Sequence, residues 1–293
     1  VIAPNFILAV SNVIAPGRSS VIQNEISRGI YSGLTGEKAK AAYAMVIGIC
    51  AELSFFVFND KKLNKSNYLL ILLYFLATML TSKRMLCVII LLEIGVALKL
   101  FDFKGKSVKI ILGGAIALVA VFVITITIPQ TSNIVDRFME ASEDTSAGGR
   151  LMFWNYCIEM FKDKPIIGYG INTFNKAFSD NVGYVYQGSR WNMYAHSMYY
   201  ELLGETGIVG IVLFGFFMLY SLVYSLRLFR NSCLSNVWKG LLWFSISLQI
   251  LFIVYGYSGN VLYDKAQLFT YLSSISMLIA VSYHAFNEKE ILI

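Results

Sequence analysis

The side chains best suited to carry out a reaction lie between positions 129 and 197, a polar stretch in an otherwise apolar chain. His196 comes just before a helical run, and an imidazole can accept a proton from a hydroxyl near neutral pH. Arg150 begins an apolar segment, and its planar guanidinium suits phosphate oxygens. These residues indicate proton transfer and anion binding at a membrane face, although a solvated arginine or a lone histidine is also common on ordinary surfaces.

The composition identifies an integral membrane protein. The chain is 57% hydrophobic and 14% charged, with a mean hydropathy of +0.62, whereas soluble domains contain about 25% charged residues. Several segments approach the length that crosses a ~30 Å hydrocarbon core: 41–58, 68–82, 85–101, 108–128, 207–226, 238–257 and 267–285. We therefore predict an all-α integral membrane protein with about seven transmembrane helices and one large outer loop containing a short amphipathic helix.

These segments divide the chain into four parts. Residues 1–40 are an outer-face segment, whose apolar beginning is expected to be the end of an earlier helix in a longer protein. Residues 41–128 hold four transmembrane helices, and residues 129–206 form the large outer loop, periplasmic or extracellular, that carries the chemistry. Residues 207–293 hold three transmembrane helices and a short cytoplasmic tail.

The basic residues predict the orientation, because Lys and Arg concentrate in cytoplasmic loops. Basic turns follow the first, third and fifth predicted helices, and one topology places all three inside and the large loop outside. The net charge of +6 therefore reflects membrane topology and does not indicate nucleic-acid binding. Lys83, Arg84, Arg150 and Arg28 lie on the outer side against this bias, which favours a functional role above all for Arg84 and Arg150.

An amphipathic helix is predicted after Arg150. Its apolar stripe has spacings of three and four residues and consists of Leu151, Trp154, Ile158 and Phe161. Arg150 is expected at the N-terminal end of this helix, where free backbone N–H groups favour anions. The paired glycines at 168 and 170 indicate a tight turn but lack the context of a nucleotide site. The four cysteines show no disulfide or metal-ligand spacing.

Two glutamates within the apolar segments allow a different function. Glu52 and Glu93 lie where carboxylates are costly and usually face the interior of a helix bundle. They could mark the ion path of a transporter, or they could be buried, hydrogen-bonded structural groups. No internal repeat of the kind found in many transporters is visible.

The ordered set of motifs resembles the O-antigen ligase and O-antigen polymerase family of polytopic bacterial membrane glycosyltransferases. The resemblance covers about residues 28–226 and is carried by Ser82-Lys83-Arg84, Gly149-Arg150 with Trp154, Pro165-x-x-Gly168-x-Gly170-x-x-Thr173-Phe174, Ala195-His196-Ser197 and Glu205-x-Gly207-x-x-Gly210. The upstream Arg28-Gly29-Ile30 resembles an arginine-glycine element of the family.

Some positions depart from the family pattern. The turn before the third predicted helix usually reads serine-arginine-glycine, but here Lys83 intervenes and Met85 replaces the glycine, so either Lys83 or Arg84 is the expected phosphate ligand. Ser197 stands where asparagine is common. The family also has more helices than are predicted here, which agrees with a missing N-terminal part.

The resemblance implies transfer of a glycan from undecaprenyl diphosphate to a hydroxyl, at the outer face of the bacterial inner (cytoplasmic) membrane. It implies that Arg84 and Arg150 bind the diphosphate and that His196 activates the acceptor hydroxyl, without a metal or other cofactor. The other expected substrate-binding residues are Lys83, Arg28, Trp154 and Glu205. The donor, a glycan or lipid-linked acceptor, membrane lipid, a polysaccharide flippase and a chain-length regulator are the expected partners.

The sequence hardly distinguishes a polymerase from a ligase. A composition rich in Lys, Asn, Phe and Tyr suggests a low-GC bacterium, which favours polymerisation of repeat units of a capsule, exopolysaccharide or O-antigen. The alternative is a ligase that transfers the lipid-linked glycan to the lipopolysaccharide lipid A core or another acceptor. A membrane transporter is the third reading.

Overall fold

The computed structural model describes residues 37–59, 65–81, 83–100, 145–182, 194–230 and 234–291. Within these ranges the chain forms eight α-helices and no strands. The chain divides into two compact units, Val1–Ser142 and Glu143–Ile293. The prediction of an all-α integral membrane protein is confirmed.

In its described residues, the first unit has three apolar helices that pack against one another: α1 (Lys38–Phe58), α2 (Lys65–Leu80) and α3 (Arg84–Leu100). Gly48 allows α1 to lie close to the ring of Tyr74 on α2, because a Cβ at this position would be 2.9 Å from a ring carbon. The Asn67 amide donates a 2.6 Å hydrogen bond to Glu52 and so links α2 to α1. Glu93 is fully buried on α3.

The second unit contains the remaining helices: α4 (Thr145–Asp163), α5 (Phe174–Val182), α6 (Met198–Phe229), α7 (Asn236–Tyr255) and α8 (Lys265–Ile291). In the described part of the chain, four helices are long and apolar enough to cross a membrane: Lys38–Phe58, Met198–Phe229, Asn236–Tyr255 and Lys265–Asn287. Ser66–Leu80 and Met85–Val96 are shorter apolar helices. Six predicted segments thus coincide with helices, and the segment 108–128 lies outside the described residues.

Polar side chains hold the three long helices of the second unit together. The Gln249 amide on α7 donates to the hydroxyls of Ser225 on α6 (3.0 Å) and Ser245 (3.1 Å). The Ser245 hydroxyl in turn donates to the Ser274 carbonyl of α8 at 2.7 Å. Hydrogen bonds and small side chains are the usual means by which helices associate in lipid.

The prediction for the amphipathic helix was wrong in its start and in its buried face. α4 begins at Thr145, so Arg150 lies in the second turn of the helix and not at the free N–H groups of its N-terminus. Cys157 and Met160 are buried, whereas Leu151 is 55% exposed. The buried face packs against protein, because α4 lies against α5 and α6.

Candidate functional site

The site is built around a break in α6. Gly207 has φ 63° and ψ −161°, which is not helical. The N–H groups of Ile208 and Val209 donate to the carbonyls of Pro165 (2.8 Å) and Ile166 (3.2 Å). These bonds replace the helical bonds that the two N–H groups would otherwise make to residues 204 and 205.

The two carbonyls released by the break are also bonded to the preceding loop. The Gly204 carbonyl accepts from the Tyr169 N–H at 3.4 Å, and the Glu205 carbonyl accepts from the Gly170 N–H at 2.7 Å. The backbone of the segment 165–170 thus takes the place of one turn of hydrogen bonds in α6. These four backbone groups of α6 therefore keep hydrogen-bond partners at the break, as buried backbone groups usually do.

Two glycines make this close approach possible. Gly168 and Gly207 both have positive φ, 66° and 63°, and such backbone conformations cost residues with a side chain about 1–3 kcal/mol. A Cβ on Gly207 would be 2.5 Å from the Ile166 carbonyl carbon, and one on Gly168 would be 2.5 Å from the Thr206 nitrogen. The Pro165-x-x-Gly168 and Glu205-x-Gly207 motifs are therefore two halves of one packing arrangement.

Glu205 joins this loop to the next helix. Its side chain is fully buried, and its two carboxylate oxygens accept hydrogen bonds from the Asn172 N–H (2.8 Å) and the Phe174 N–H (2.9 Å). The Phe174 N–H is at the beginning of α5, where backbone donors lack helical partners. Glu205 therefore caps α5, and neither of its oxygens faces solvent.

A tyrosine extends this connection towards the histidine. The Tyr263 hydroxyl, between α7 and α8, donates to Glu205. The Tyr263 ring stacks on Tyr194, with centroids 5.5 Å apart. Since Tyr194 comes two residues before His196, the buried carboxylate is linked through two rings to the start of the Ala195-His196-Ser197 segment.

Hydrogen bonds fix the backbone on the N-terminal side of His196. The Ala195 N–H donates to the carboxylate of Glu201 at 2.9 Å, and the Ala195 carbonyl accepts from the indole N–H of Trp154 at 2.9 Å. The indole also stacks on Tyr200, with centroids 4.7 Å apart. Glu201 and Trp154 thus hold the two consecutive peptide groups on either side of the Ala195 Cα.

The C-terminal side is fixed by the loop after α7. The Met198 N–H donates to the carbonyls of Gly256 (2.8 Å) and Gly259 (3.1 Å). Ser197, the residue before α6, has a buried side chain and makes no capping hydrogen bond to this helix. Its hydroxyl has no partner among the residues that the structure describes.

Between these fixed residues, His196 is exposed to solvent. Its φ of 54° is uncommon for a residue with a side chain and costs about 1–2 kcal/mol. Such conformations persist where the surroundings determine them, often at functional sites. The imidazole lies 6.2 Å from the Phe153 ring, measured between centroids.

α4 brings Arg150 to the same part of the unit. Phe153 and Trp154, which contact the segment 195–196, come three and four residues after Arg150 on this helix. Residues with these spacings share one helical face. Arg150 is partly exposed, so this face presents a guanidinium one turn away from the two contacts to the histidine segment.

Burial controls the protonation of the groups below this surface. The pKa of the Cys157 thiol is raised above its usual range, first by burial and then by the Glu201 and Glu205 carboxylates. Burial and the hydrogen bond to Glu205 likewise raise the pKa of Tyr263. Cys157 is thus a neutral packing residue, and Tyr263 keeps its proton at neutral pH. Within the described ranges, no group of three or more His, Cys, Asp or Glu residues could hold a metal ion.

The other candidates lie in the first unit or outside the described residues. Lys83 immediately precedes α3, with its carbonyl accepting from the Leu86 N–H at 3.1 Å, and Arg84 is the first residue of this helix. Arg28 lies outside the described residues. The expected meeting of Lys83 or Arg84 with Arg150 and His196 stays a prediction.

Sequence reasoning missed two residues that fix the histidine segment, Glu201 and Tyr263. A signal for Glu201 exists, because Glu201 and Glu205 are two acidic residues four apart in an apolar helix and so require buried partners. Tyr263 lies 58 residues beyond Glu205, and no spacing rule connects them.

The fold and this site define an all-α, multi-pass membrane protein with a structured extramembrane segment fastened to a broken helix. The family model described as O-antigen ligase matches residues 69–215, which is half of the chain, and the chain belongs to this family. The match includes all the site residues expected from the sequence except Arg28, and it does not include Tyr263. No curated protein matches the chain. The function is thus of the O-antigen ligase or polymerase type, in a family of membrane glycosyltransferase-like enzymes.

Proposed function

We propose that this protein polymerises oligosaccharide repeat units carried on undecaprenyl diphosphate, by transferring the growing glycan to a sugar hydroxyl of another lipid-linked unit. The observation that carries the proposal is the presentation of His196, exposed and at positive φ between hydrogen-bonded neighbours, beside the helix face that holds Arg150. Family membership supports an enzyme acting on a lipid-linked glycan over a transporter. The hydrogen bond from Asn67 to Glu52 gives that carboxylate a structural role.

In this proposal His196 is the general base. Its imidazole accepts the proton of the acceptor hydroxyl as the oxygen attacks the anomeric carbon, and the bond from that carbon to the diphosphate breaks. A general base typically contributes about 10²–10⁴-fold to the rate. The rigid backbone around Ala195 and Met198 favours this role, because proton transfer requires a fixed distance to the hydroxyl.

Arg150 binds the diphosphate and stabilises the negative charge that develops on it as the glycosyl bond breaks. A guanidinium fork already in position can do this without reorganisation at the moment of reaction. Arg84 or Lys83 supplies a second cation to the same group, and Arg28 contributes to donor binding. No metal or other cofactor takes part in the proposed reaction.

Trp154 and Glu205, first predicted to bind substrate, are positioning residues in this proposal. The indole N–H donates to the Ala195 carbonyl, and both carboxylate oxygens of Glu205 accept from backbone amides. Their contacts support a role in holding His196 and the loop 165–170, and Glu201 and Tyr263 share it.

The proposed location is the bacterial cytoplasmic membrane, with the loop of residues 129–206 on the outer face. The donor, the lipid-linked acceptor and membrane lipid are the direct partners. A flippase that delivers the donor and a chain-length regulator complete the proposed pathway. The basic turns on the opposite side support this orientation.

The test is deletion of the gene and complementation with the full-length wild type, His196→Ala or His284→Ala. His284 is the matched control, because it stacks on Trp238 at 4.2 Å, near the end of α8 that lies away from the Tyr263 loop. Lipid-linked glycans are then sized by gel. We expect single repeat units to accumulate in the deletion and with His196→Ala, and long chains to return with His284→Ala.

Other outcomes are equally informative. Long lipid-linked chains together with an unglycosylated acceptor would establish a ligase, the second candidate. An unchanged glycan profile in the deletion would overturn the glycosyltransferase proposal and favour a transporter. Full activity of the His196→Ala variant would show that the histidine takes no part in the reaction.

A further inference from the structure

The loop that fills the break in α6 exposes large apolar side chains. Ile166 is 64% exposed, and Ile167 and Ile171 are each 73% exposed. The exposed apolar surface of α6 shows similar values, 57% at Val212 and 64% at Leu213. Exposed clusters of this kind mark interaction surfaces.

The hydrogen bonds of the break place this cluster at the edge of the apolar surface of α6. The carbonyls of Pro165 and Ile166 bind the N–H groups of Ile208 and Val209, and the last two residues are themselves 47% and 45% exposed. The isoleucine cluster is thus continuous with the apolar face that begins at Ile208.

The length of α6 indicates how deep in the membrane the break at Gly207 lies. The helix has 32 residues, about 48 Å, which exceeds a ~30 Å hydrocarbon core. The part from Ile208 to Phe229 is about 33 Å long and is sufficient to cross the core. The break at Gly207 therefore lies close to the boundary between hydrocarbon and headgroups.

Polar and aromatic residues beside the cluster suit this boundary. Lys164 lies over the ring of Tyr169, with its Nζ 4.4 Å from the centroid, and the Tyr169 hydroxyl donates to Asp163. Tyrosines with one polar end and lysines with apolar stems are enriched at membrane interfaces.

We propose that Ile166, Ile167 and Ile171 insert into the leaflet of the bilayer on the side of this loop. The bilayer is the proposed occupant because the cluster continues the lipid-facing surface of α6 at the level where the hydrocarbon begins. The inserted loop fixes the height of the histidine segment above the membrane, since Glu205 and Tyr263 connect the two. The proposal does not depend on the glycosyltransferase function.

The test uses spin labels on single cysteines in the full-length protein, in nanodiscs of phosphatidylethanolamine and phosphatidylglycerol. Cys233→Ser is introduced as background, because Cys50, Cys87 and Cys157 are buried. Labels are placed at Ile167→Cys, at Val212→Cys as the lipid-facing reference and at Lys176→Cys as the aqueous reference, since Lys176 is exposed on the polar surface of α5. Collisions with oxygen and with a water-soluble nickel chelate are measured.

We expect the ratio of oxygen to nickel accessibility at Ile167 to shift from the value at Lys176 towards that at Val212. Ile171→Cys provides a second, independent position with the same expectation. A ratio equal to that at Lys176 would overturn the proposal, because the loop would then lie in water. A label shielded from both reagents would also overturn it, because another protein surface would then cover the cluster.

Discussion

Gly168 and Gly207 each occupy a position where the backbone of the other's segment leaves no room for a side chain. Both have positive φ, and a Cβ on either would come within about 2.5 Å of backbone atoms across the contact. The conformational freedom of glycine and its small size are thus required at the same two positions. The histidine segment depends on this contact. The contact allows the backbone hydrogen bonds between the segment 165–170 and α6, and Glu205 lies among the residues that these bonds hold in place.

Gly207→Ala should lower the stability of the second unit substantially. The backbone conformation at Gly207 costs a residue with a side chain about 1–3 kcal/mol, and the collision with the Ile166 carbonyl adds to this because backbone atoms cannot move aside. The melting temperature in detergent is the measurement. Gly215→Ala on the same helix is the matched control, since no atom lies within 4 Å of its added Cβ. Equal melting temperatures for the two variants would contradict the proposed role of the break.

Glu205→Ala should destabilise the unit by roughly 3–5 kcal/mol. The Phe174 N–H and the Tyr263 hydroxyl lose their acceptor, and the Asn172 N–H keeps only its longer bond to the Tyr263 oxygen at 3.3 Å. Glu205→Gln should cost less, since an amide oxygen can still accept one of these bonds. Amide hydrogen exchange at Phe174 measures the loss directly. Glu159→Gln, at an exposed position on α4, should leave this exchange unchanged. Protection retained in Glu205→Ala would show that the carboxylate does not cap α5.

Trp154→Phe should slow glycan transfer about three- to tenfold and leave donor KM nearly constant, because it removes a single hydrogen bond of ~0.5–1.5 kcal/mol to Ala195 and keeps an aromatic ring beside Tyr200. Steady-state kinetics of the purified protein with a lipid-linked repeat unit separate kcat from KM. Trp238→Phe controls for general effects of losing an indole. An effect confined to KM would instead indicate that Trp154 binds substrate.

The raised pKa of Tyr263 predicts how alkaline pH affects stability. A phenol whose pKa is higher in the folded than in the unfolded protein contributes stability below the usual value of about 10, and this contribution is lost as pH rises through the folded pKa. The melting temperature should therefore fall above about pH 10, and Tyr263→Phe should reduce the slope of that fall. The pKa of the exposed Tyr169 is also raised, through its hydrogen bond to Asp163, but Tyr169→Phe should change the slope less because solvent screens this pair. Equal slopes for both variants would argue against a buried Tyr263 hydroxyl.

The sequence was sufficient for the six apolar helices and for the family. Apolar runs such as 207–226 predict helices directly, because lipid requires every backbone group to be bonded within the segment. The buried face of α4 was not predicted correctly. Aromatic residues occur on several sides of this helix, so the spacing of its apolar residues does not identify the face containing Cys157 as the buried one. The partners of Glu205 lie 31 to 58 residues away along the chain, a distance over which local patterns carry no information.

The break in α6 also couples this helix to the loop that precedes it in the chain. The loop 165–170 is synthesised before α6, so its carbonyls and N–H groups are available when the helix enters the membrane. If α6 were inserted without that loop, the N–H groups of Ile208 and Val209 could bond to the carbonyls of residues 204 and 205, as in a continuous helix. Docking of the loop therefore selects the broken form of α6 over the continuous form. Variants that disturb the loop should consequently shift α6 towards the continuous form.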